Sequence, residues 1–271
     1  PHALMIEVFD EVAKDSVAVD DLKTWLRKAK QTTHWKTTKA TAAACYALLR
    51  RGADFLAESK DMVITIADKP LDMASIQKEA GTGYFKKTWA AQDITPAMSK
   101  VVVTNPNKVV AWGAVYWQYF EQMDKITFFK ETPLKINKQL FKEVRTNEGN
   151  KLVPISSSEK LKVGDLVKVR IEIFVDRDME YVHLKDMRAS GFEPVNVLSQ
   201  YKYQGGLGYY ESTRDLATHF FISYLSKGTY VFEYPLRVQH KGDFSNGITT
   251  MQCMYAPEFT THSEGVRVVI E

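Results

Sequence analysis

Leu166-Val-Lys-Val-Arg-Ile-Glu-Ile-Phe-Val175 decides the fold. Val167, Val169, Ile171, Ile173 and Val175 share one parity, while Lys168, Arg170 and Glu172 share the other. A two-residue period with one dry and one wet face is a strand lying on a core. Val163-Gly164-Asp165 supplies the turn before it. The same alternation returns at Tyr230, Phe232, Tyr234, Leu236 and Val238 after a Lys227-Gly228 turn, and again at Val266, Val268 and Ile270. About eight such segments follow Pro133, with turn signals every ten residues or so, and they predict an antiparallel sandwich. Pro235 interrupts one of them. Proline has no N–H for a ladder, so that strand is expected at an edge or with a bulge.

Upstream the pattern is less uniform. Met62-Val-Ile-Thr-Ile66 and Val101-Val-Val103 read as strands, with Gly81, Gly83 and Pro96 punctuating between them and Asn105-Pro106-Asn107 as a turn. Residues 109–120, VVAWGAVYWQYF, are apolar on both parities. That predicts a strand buried on both faces, with a buried helix as the alternative. Its five Trp, Tyr and Phe residues are expected to be core; a carbohydrate-binding platform would need paired exposed polar groups that the stretch lacks.

Before Lys60 the period is helical. Leu4, Met5, Val8, Phe9 and Val12 make one apolar stripe, and Val19, Leu22, Trp25 and Leu26 another. A third, alanine-rich helix is expected from 38 to 51, closed by Gly52 in the left-handed conformation. The chain starts at Pro1 with a helix already under way, which reads as a cut through a larger protein, a removed leader being the alternative.

Composition excludes several classes. A net charge of +3 without a long basic stripe gives no reason to expect nucleic acid or an anionic membrane as a partner. No run of about 18 apolar residues exists, so no transmembrane helix is expected. Cys45 and Cys253 belong to no metal-ligand spacing, are too far apart in kind and position for a disulfide, and are expected to be buried free thiols.

No catalytic, cofactor-binding or metal-binding residue can be assigned. The chain holds no GxSxG, no phosphate-cradling GxxxxGK, no HExxH and no GxGxxG. Gly205-Gly-Leu-Gly208 lacks a following helix and is expected to be a mobile or tightly turned loop. Asp176, Asp178 and Glu180 alternate as in a calcium loop, but the turn glycine and downstream bidentate Glu are missing, so a solvated turn is expected. Glu193 precedes Pro194 on extended backbone and has no visible partner for general-acid work. His2, His34, His183, His219, His240 and His262 are scattered singly and expected on strand faces or the surface.

Three long strings carry a resemblance: LKVGDLVKVRIEIFVDRDMEYVHLKDMRASGFEPV (161–195), GYYESTRDLATHFFISYLSKGTYVFEYPLRVQHKGDFSNG (208–247) and MQCMYAPEFTTHSEGVRVVIE (251–271). With WKTTKATAAACYALLRRG (35–52) and VVAWGAVYWQYFEQMDKIT (109–127), they resemble the C-terminal region of bacterial alpha-2-macroglobulins, in the form common in Bacteroidetes. The resemblance implies a mainly β chain with an N-terminal helical segment. Residues 1–57 would be the tail of a thioester-type α/α toroid, 60–128 the second half of a CUB-like β domain, and 133–271 a terminal macroglobulin-type β-sandwich. It implies a non-catalytic part of an exported protease-trapping protein, periplasmic or associated with the outer membrane. Its partners would be proteases, met through the full-length protein, and the upstream domains. Members that react covalently use a Cys-x-Glu-Gln thioester. Here Tyr46-Ala47-Leu48 follow Cys45 and Met254-Tyr255-Ala256 follow Cys253, so neither matches. Some members shield the thioester with an aromatic side chain of the terminal domain; Tyr209 and Tyr210 sit in an expected loop, with no motif to assign them that role. A structural or adhesive sandwich that binds carbohydrate or protein through exposed aromatics is the alternative.

Overall fold

The structure is a computed structural model that describes residues 1–52, 60–81, 83–107, 111, 113–127, 132–155 and 160–271. It is mainly antiparallel β-sheet with a short N-terminal helical segment. Two units divide the chain: residues 1–24 with 39–115, and residues 25–38 with 116–271. Residues 53–57 and 128, at the ends of two expected segments, lie outside the described residues.

In the first unit, α1 (His2–Val8) runs into a π-helical turn at Phe9–Ala13 and stops at Lys14, which has a φ of 55°. Asp15 caps α2 (Ser16–Thr32), whose residues from 25 onward are counted with the second unit: its Oδ1 accepts from the backbone N–H groups of Val17 and Ala18 at 3.1 and 3.0 Å, donors that a helix start leaves unpaired. α3 (Thr38–Arg50) is followed by Gly52 at φ +60°, the left-handed residue expected there, and a Cβ on it would meet Val19 Cγ1 at 2.6 Å. Ile6, Val19, Ala44 and Ala47 are buried, whereas Leu4, Met5, Val8 and Val12 of the first apolar stripe are exposed. The strands β1 (Val63–Ile66), β2 (Lys69–Pro70) and β3 (Val101–Thr104) make an antiparallel sheet in the order β2-β1-β3.

The second unit holds two larger sheets. The first contains β4 (Leu134–Thr146), β5 (Gly149–Pro154), β6 (Leu166–Val175), β8 (Phe192–Pro194) and β12 (Gly228–Val238), in the order β5-β4-β6-β12-β8. The other contains β7 (Met179–Met187), β9 (Gln200–Gln204), β10 (Leu207–Thr213), β11 (Ala217–Leu225), β14 (Thr249–Cys253) and β15 (Ala256–His262), in the order β15-β14-β7-β11-β10-β9. A small ribbon pairs β13 (Gly242–Ser245) with β16 (Arg267–Ile270). The inward parities of both sheets interleave in one core, as in a sandwich. All five inward residues of β6, from Val167 to Val175, are fully buried. Phe232 of β12 lies 5.1 Å from Tyr209 of β10 and 5.0 Å from Phe220 of β11, ring centre to ring centre, so aromatic contacts cross between the sheets.

Pro235 sits in β12 opposite Lys168 of β6, between two neighbours rather than at a sheet edge. The short β8 pairs only with Leu236, Arg237 and Val238. The N–H of Glu233, two residues earlier on the same side, turns away from β6 to the Gln204 side chain at 3.2 Å. The missing N–H of Pro235 therefore faces a gap that β8 leaves open, a local edge inside the order.

Three expectations need correcting. Of residues 109–120, Val109, Val110 and Trp112 lie outside the described residues; residues 111 and 113–120 have no regular secondary structure and are exposed, Phe120 completely. A stretch that is apolar on both parities needs cover on both faces, and among the described residues no strand pairs with it. Tyr209 and Tyr210 are not in a loop. The chain reverses in only two residues, Gly205 and Gly206, both at positive φ, and β10 begins at once with Leu207. Tyr209 is core. Finally, Cys45 is exposed; Cys253 is the buried thiol.

The core also holds a charge pair that alternation alone does not announce. Lys138, on the inward parity of β4, places Nζ 2.6 Å from Asp186 Oδ1 on β7, with both side chains almost wholly out of solvent. Nζ also donates to the Met187 carbonyl at 2.6 Å. Thr249 donates to Asp186 Oδ1 at 2.7 Å, and the Tyr234 hydroxyl donates to Oδ2. Burial, and then the carboxylate beside it, hold the Tyr234 hydroxyl well above its ordinary pKa, so it stays a donor. Each charge is thus paired and hydrogen-bonded, the condition under which buried charges are tolerated.

Two stability outcomes follow. Lys138→Ala leaves Asp186 buried without its cation and is expected to cost about 3–5 kcal/mol, with Lys138→Met combined with Asp186→Leu recovering most of it. Denaturant unfolding measures both; a loss below about 1 kcal/mol, typical of an exposed pair, would contradict the burial argument. At the β9–β10 turn, Gly206→Ala meets open space and should cost about 1 kcal/mol from its positive φ alone. Gly205→Ala should cost more, because its Cβ would lie 2.1 Å from the Val231 carbonyl oxygen. Equal losses would show that Val231 does not crowd the turn.

Candidate functional site

The outward face of the six-stranded sheet collects the accessible chemistry of the second unit. Strand parity and register build it. One row crosses all six strands through directly opposed residues: Tyr201 faces Tyr210, Tyr210 faces Phe221, Phe221 faces His183, His183 faces Gln252, and Gln252 faces Thr260. A second row runs beside it from Ser212 through His219, Lys185 and Thr250 to His262. Directly opposed residues are the closest side-chain neighbours a sheet offers, so each row is a contact path.

At its centre the face is held together by rings. Phe221 and His183 stack with centroids 4.9 Å apart and planes 15° from parallel, and Tyr201 meets Tyr210 edge-on at 4.9 Å. His183 Nε2 and His219 Nδ1 are 2.8 Å apart. Their planes differ by 7° and their centroids are separated by 5.1 Å, which places the two rings end to end in one plane. That arrangement is an N–H···N hydrogen bond: one ring donates and the other accepts. It is not a chelate, because a metal ion would need both lone pairs converging on a third point.

Burial and the neighbouring cations favour the neutral form of both rings. Burial is the main cause that lowers the His183 pKa below 6.5, followed by His219 and Lys185. Burial also lowers that of His219, followed by Lys185 and Arg214. A first proton can enter on a nitrogen outside the shared bond and leave that bond intact. A second would put N–H against N–H, so the pair titrates as a unit.

Other residues singled out from the sequence are dispersed. Asp176 is bound by Arg177 at 2.8 Å, which holds its carboxyl below the usual range. Asp178 accepts from the Lys227 N–H at 2.8 Å and the Tyr224 hydroxyl at 2.7 Å, and these bonds hold its carboxyl low. Glu180 turns inward and pairs with His34, so the three carboxylates do not converge. Among the described residues no group of three or more His, Cys, Asp or Glu is placed to hold a metal ion. Glu193 is exposed on β8, opposite Arg237. Burial pushes the Cys253 thiol pKa up, away from nucleophilic thiolate character. His34 is at the surface and His183 and His219 are on strand faces, as expected, but the last two are paired rather than single. Only cross-strand register brings positions 183 and 219 together, although both lie on the outward parity of their own strands.

Residues 134–258 match the family model described as the bacterial alpha-2-macroglobulin MG10 domain. Over 111 residues the chain is 25% identical to circularly permutated Ras protein 2 of Dictyostelium discoideum, a stretch that makes up 41% of this chain and 3% of that protein. Among solved structures it is similar to Escherichia coli alpha-2-macroglobulin activated by porcine elastase, at 14% identity and a TM-score of 0.46, over 100% of this chain and 23% of that one. It is also similar to Salmonella alpha-2-macroglobulin reacted with methylamine, at 16% identity and a TM-score of 0.40, over 99% of this chain and 17% of that one. The chain therefore spans under a quarter of the length of each of these three proteins.

The imidazole pair makes stability depend on pH. Each ring has a folded pKa below its ordinary 6.5, so between the two values the unfolded chain binds more protons. Their contribution is complete above that ordinary value and is lost progressively as pH falls from there through the lowered folded values. Melting temperatures recorded from pH 7.5 down to 5.5 should fall more steeply for the natural chain than for a His183→Gln, His219→Gln double variant. Parallel curves would show that the pair is not perturbed.

Proposed function

We propose, for a chain that carries a bacterial alpha-2-macroglobulin MG10 domain in residues 134–258, that it is the non-catalytic C-terminal part of a protease-trapping protein of the bacterial cell envelope. In this reading residues 1–57 end a helical toroid, 60–128 complete a CUB-like domain, and 133–271 form the terminal sandwich. The sandwich acts by docking: it holds the larger protein in one arrangement and releases it when a protease has cut elsewhere.

The observation that carries the docking role is the ring-and-imidazole face, a row continuous across six strands and open to solvent at Tyr201 and Phe221. Exposed clusters of this kind mark interaction surfaces. The exposed aromatic residues Tyr116, Trp117, Tyr119 and Phe120 fit a segment completed by a β half that is not among the described strands. A sugar platform is less well supported, since stacking on sugar needs ring faces turned outward and those of Phe221 and His183 are turned to each other. With no Cys-x-Glu-Gln in this sequence, covalent trapping is not assigned to these residues.

The test uses the longer protein. Added to a trypsin-like or elastase-like protease, it should lower cleavage of a protein substrate, and the same protein truncated before residue 133 should not. Unchanged protease activity with the intact protein would overturn the reading.

A further inference from the structure

We propose that the outward face of the six-stranded sheet docks an acidic protein segment, with carboxylates seated on Lys185 and the His183–His219 pair. The proposal deepens the docking role above and rests on it.

Charge complementarity selects the partner. The second row carries His219, Lys185 and His262, and neither row contains an Asp or Glu. Glu258 lies on the edge strand β15 and Asp215 in the turn between β10 and β11, outside both rows. The nearest carboxylate in sequence, Asp186, turns inward and is consumed by Lys138. Lys185, its neighbour, is on the outward parity and partly exposed.

The rings add to this. Because Phe221 and His183 stack on each other, their edges are what they offer to solvent. An aromatic ring is electron-poor at its edge, which suits a carboxylate oxygen and not a cation. Gln252, Thr250 and Thr260 supply amide and hydroxyl groups along the same rows for a peptide backbone.

Acid should strengthen this site. The groups facing the imidazole pair are Lys185 on β7, Thr250 and Gln252 on β14, Tyr210 and Ser212 on β10, Phe221 on β11, and Arg214 beyond the end of β10. None is a carboxylate, so no group facing the pair offsets a proton that it gains; Glu258, on the outward parity of β15, lies beyond both rows. A bound carboxylate would, and it would pull that proton on.

Side-chain NMR of this chain, with a hexaglutamate peptide as the probe, tests the idea at low salt. Resonances of His183, His219, Thr250 and Gln252 should shift on titration, with binding several-fold tighter at pH 5.5 than at pH 8 and several-fold weaker in 0.5 M salt. Lys185→Ala and His219→Gln should each weaken it several-fold while leaving the fold, read by circular dichroism, unchanged. No shift, shifts elsewhere, or equal shifts with hexaglutamine would overturn the proposal. Phe221→Asp in the longer protein separates it from the docking role. If hexaglutamate fails but that substitution abolishes protease inhibition, the acidic partner is wrong and docking stands; if inhibition also survives, both are wrong.

Discussion

The sandwich is built around one ion pair placed where water does not reach. Lys138 comes from one sheet and Asp186 from the other, and their charged atoms meet at 2.6 Å inside the apolar interior. Neither could remain there alone, since stripping water from an isolated charge costs several kcal/mol. The pair therefore acts as a register lock. A one-residue slip of β4 or β7 would turn one member out to solvent and strand the other in the core. Hydrophobic parity sets the same register, but apolar residues tolerate exposure far better than a lone charge tolerates burial.

That lock also fixes the outer surface. With Asp186 pointing in, Lys185 and His183 must point out, because successive side chains of a strand alternate. The pairing of β7 with β11 then brings His219 opposite Lys185 and Phe221 opposite His183. The outward face is in this sense the reverse side of the core, built by the residues that alternation turns away from the interior.

Much of this was legible in the sequence. The alternation in β6 and β12, the turn at Gly205-Gly206 and the left-handed Gly52 are local features, and each appears where local chemistry put it. The Lys138–Asp186 pair could have been suspected. Lys138 shares the parity of Ile136 and Leu140, and Asp186 that of Val182 and Leu184, so both are charged residues on a dry face. The imidazole pair was out of reach, because adjacency of positions 183 and 219 is a property of strand pairing rather than of either strand. The stretch 109–120 misled for a related reason. Apolar composition reports a need for cover, and says nothing about whether the described part of the chain supplies it. Three glycines suggest a loop that reaches Tyr209 and Tyr210, but two of them suffice for the turn and the third, Gly208, belongs to β10.

The central claim is that this sandwich works by being docked upon, through the outward face of its six-stranded sheet. Hydrogen–deuterium exchange on this chain alone and on the longer protein tests that most directly. The account predicts that peptides covering β7, β11 and β14, together with 113–120, exchange more slowly in the longer protein, while β4 and β6 exchange alike in both. Identical exchange over β7, β11 and β14 in the two samples would contradict it.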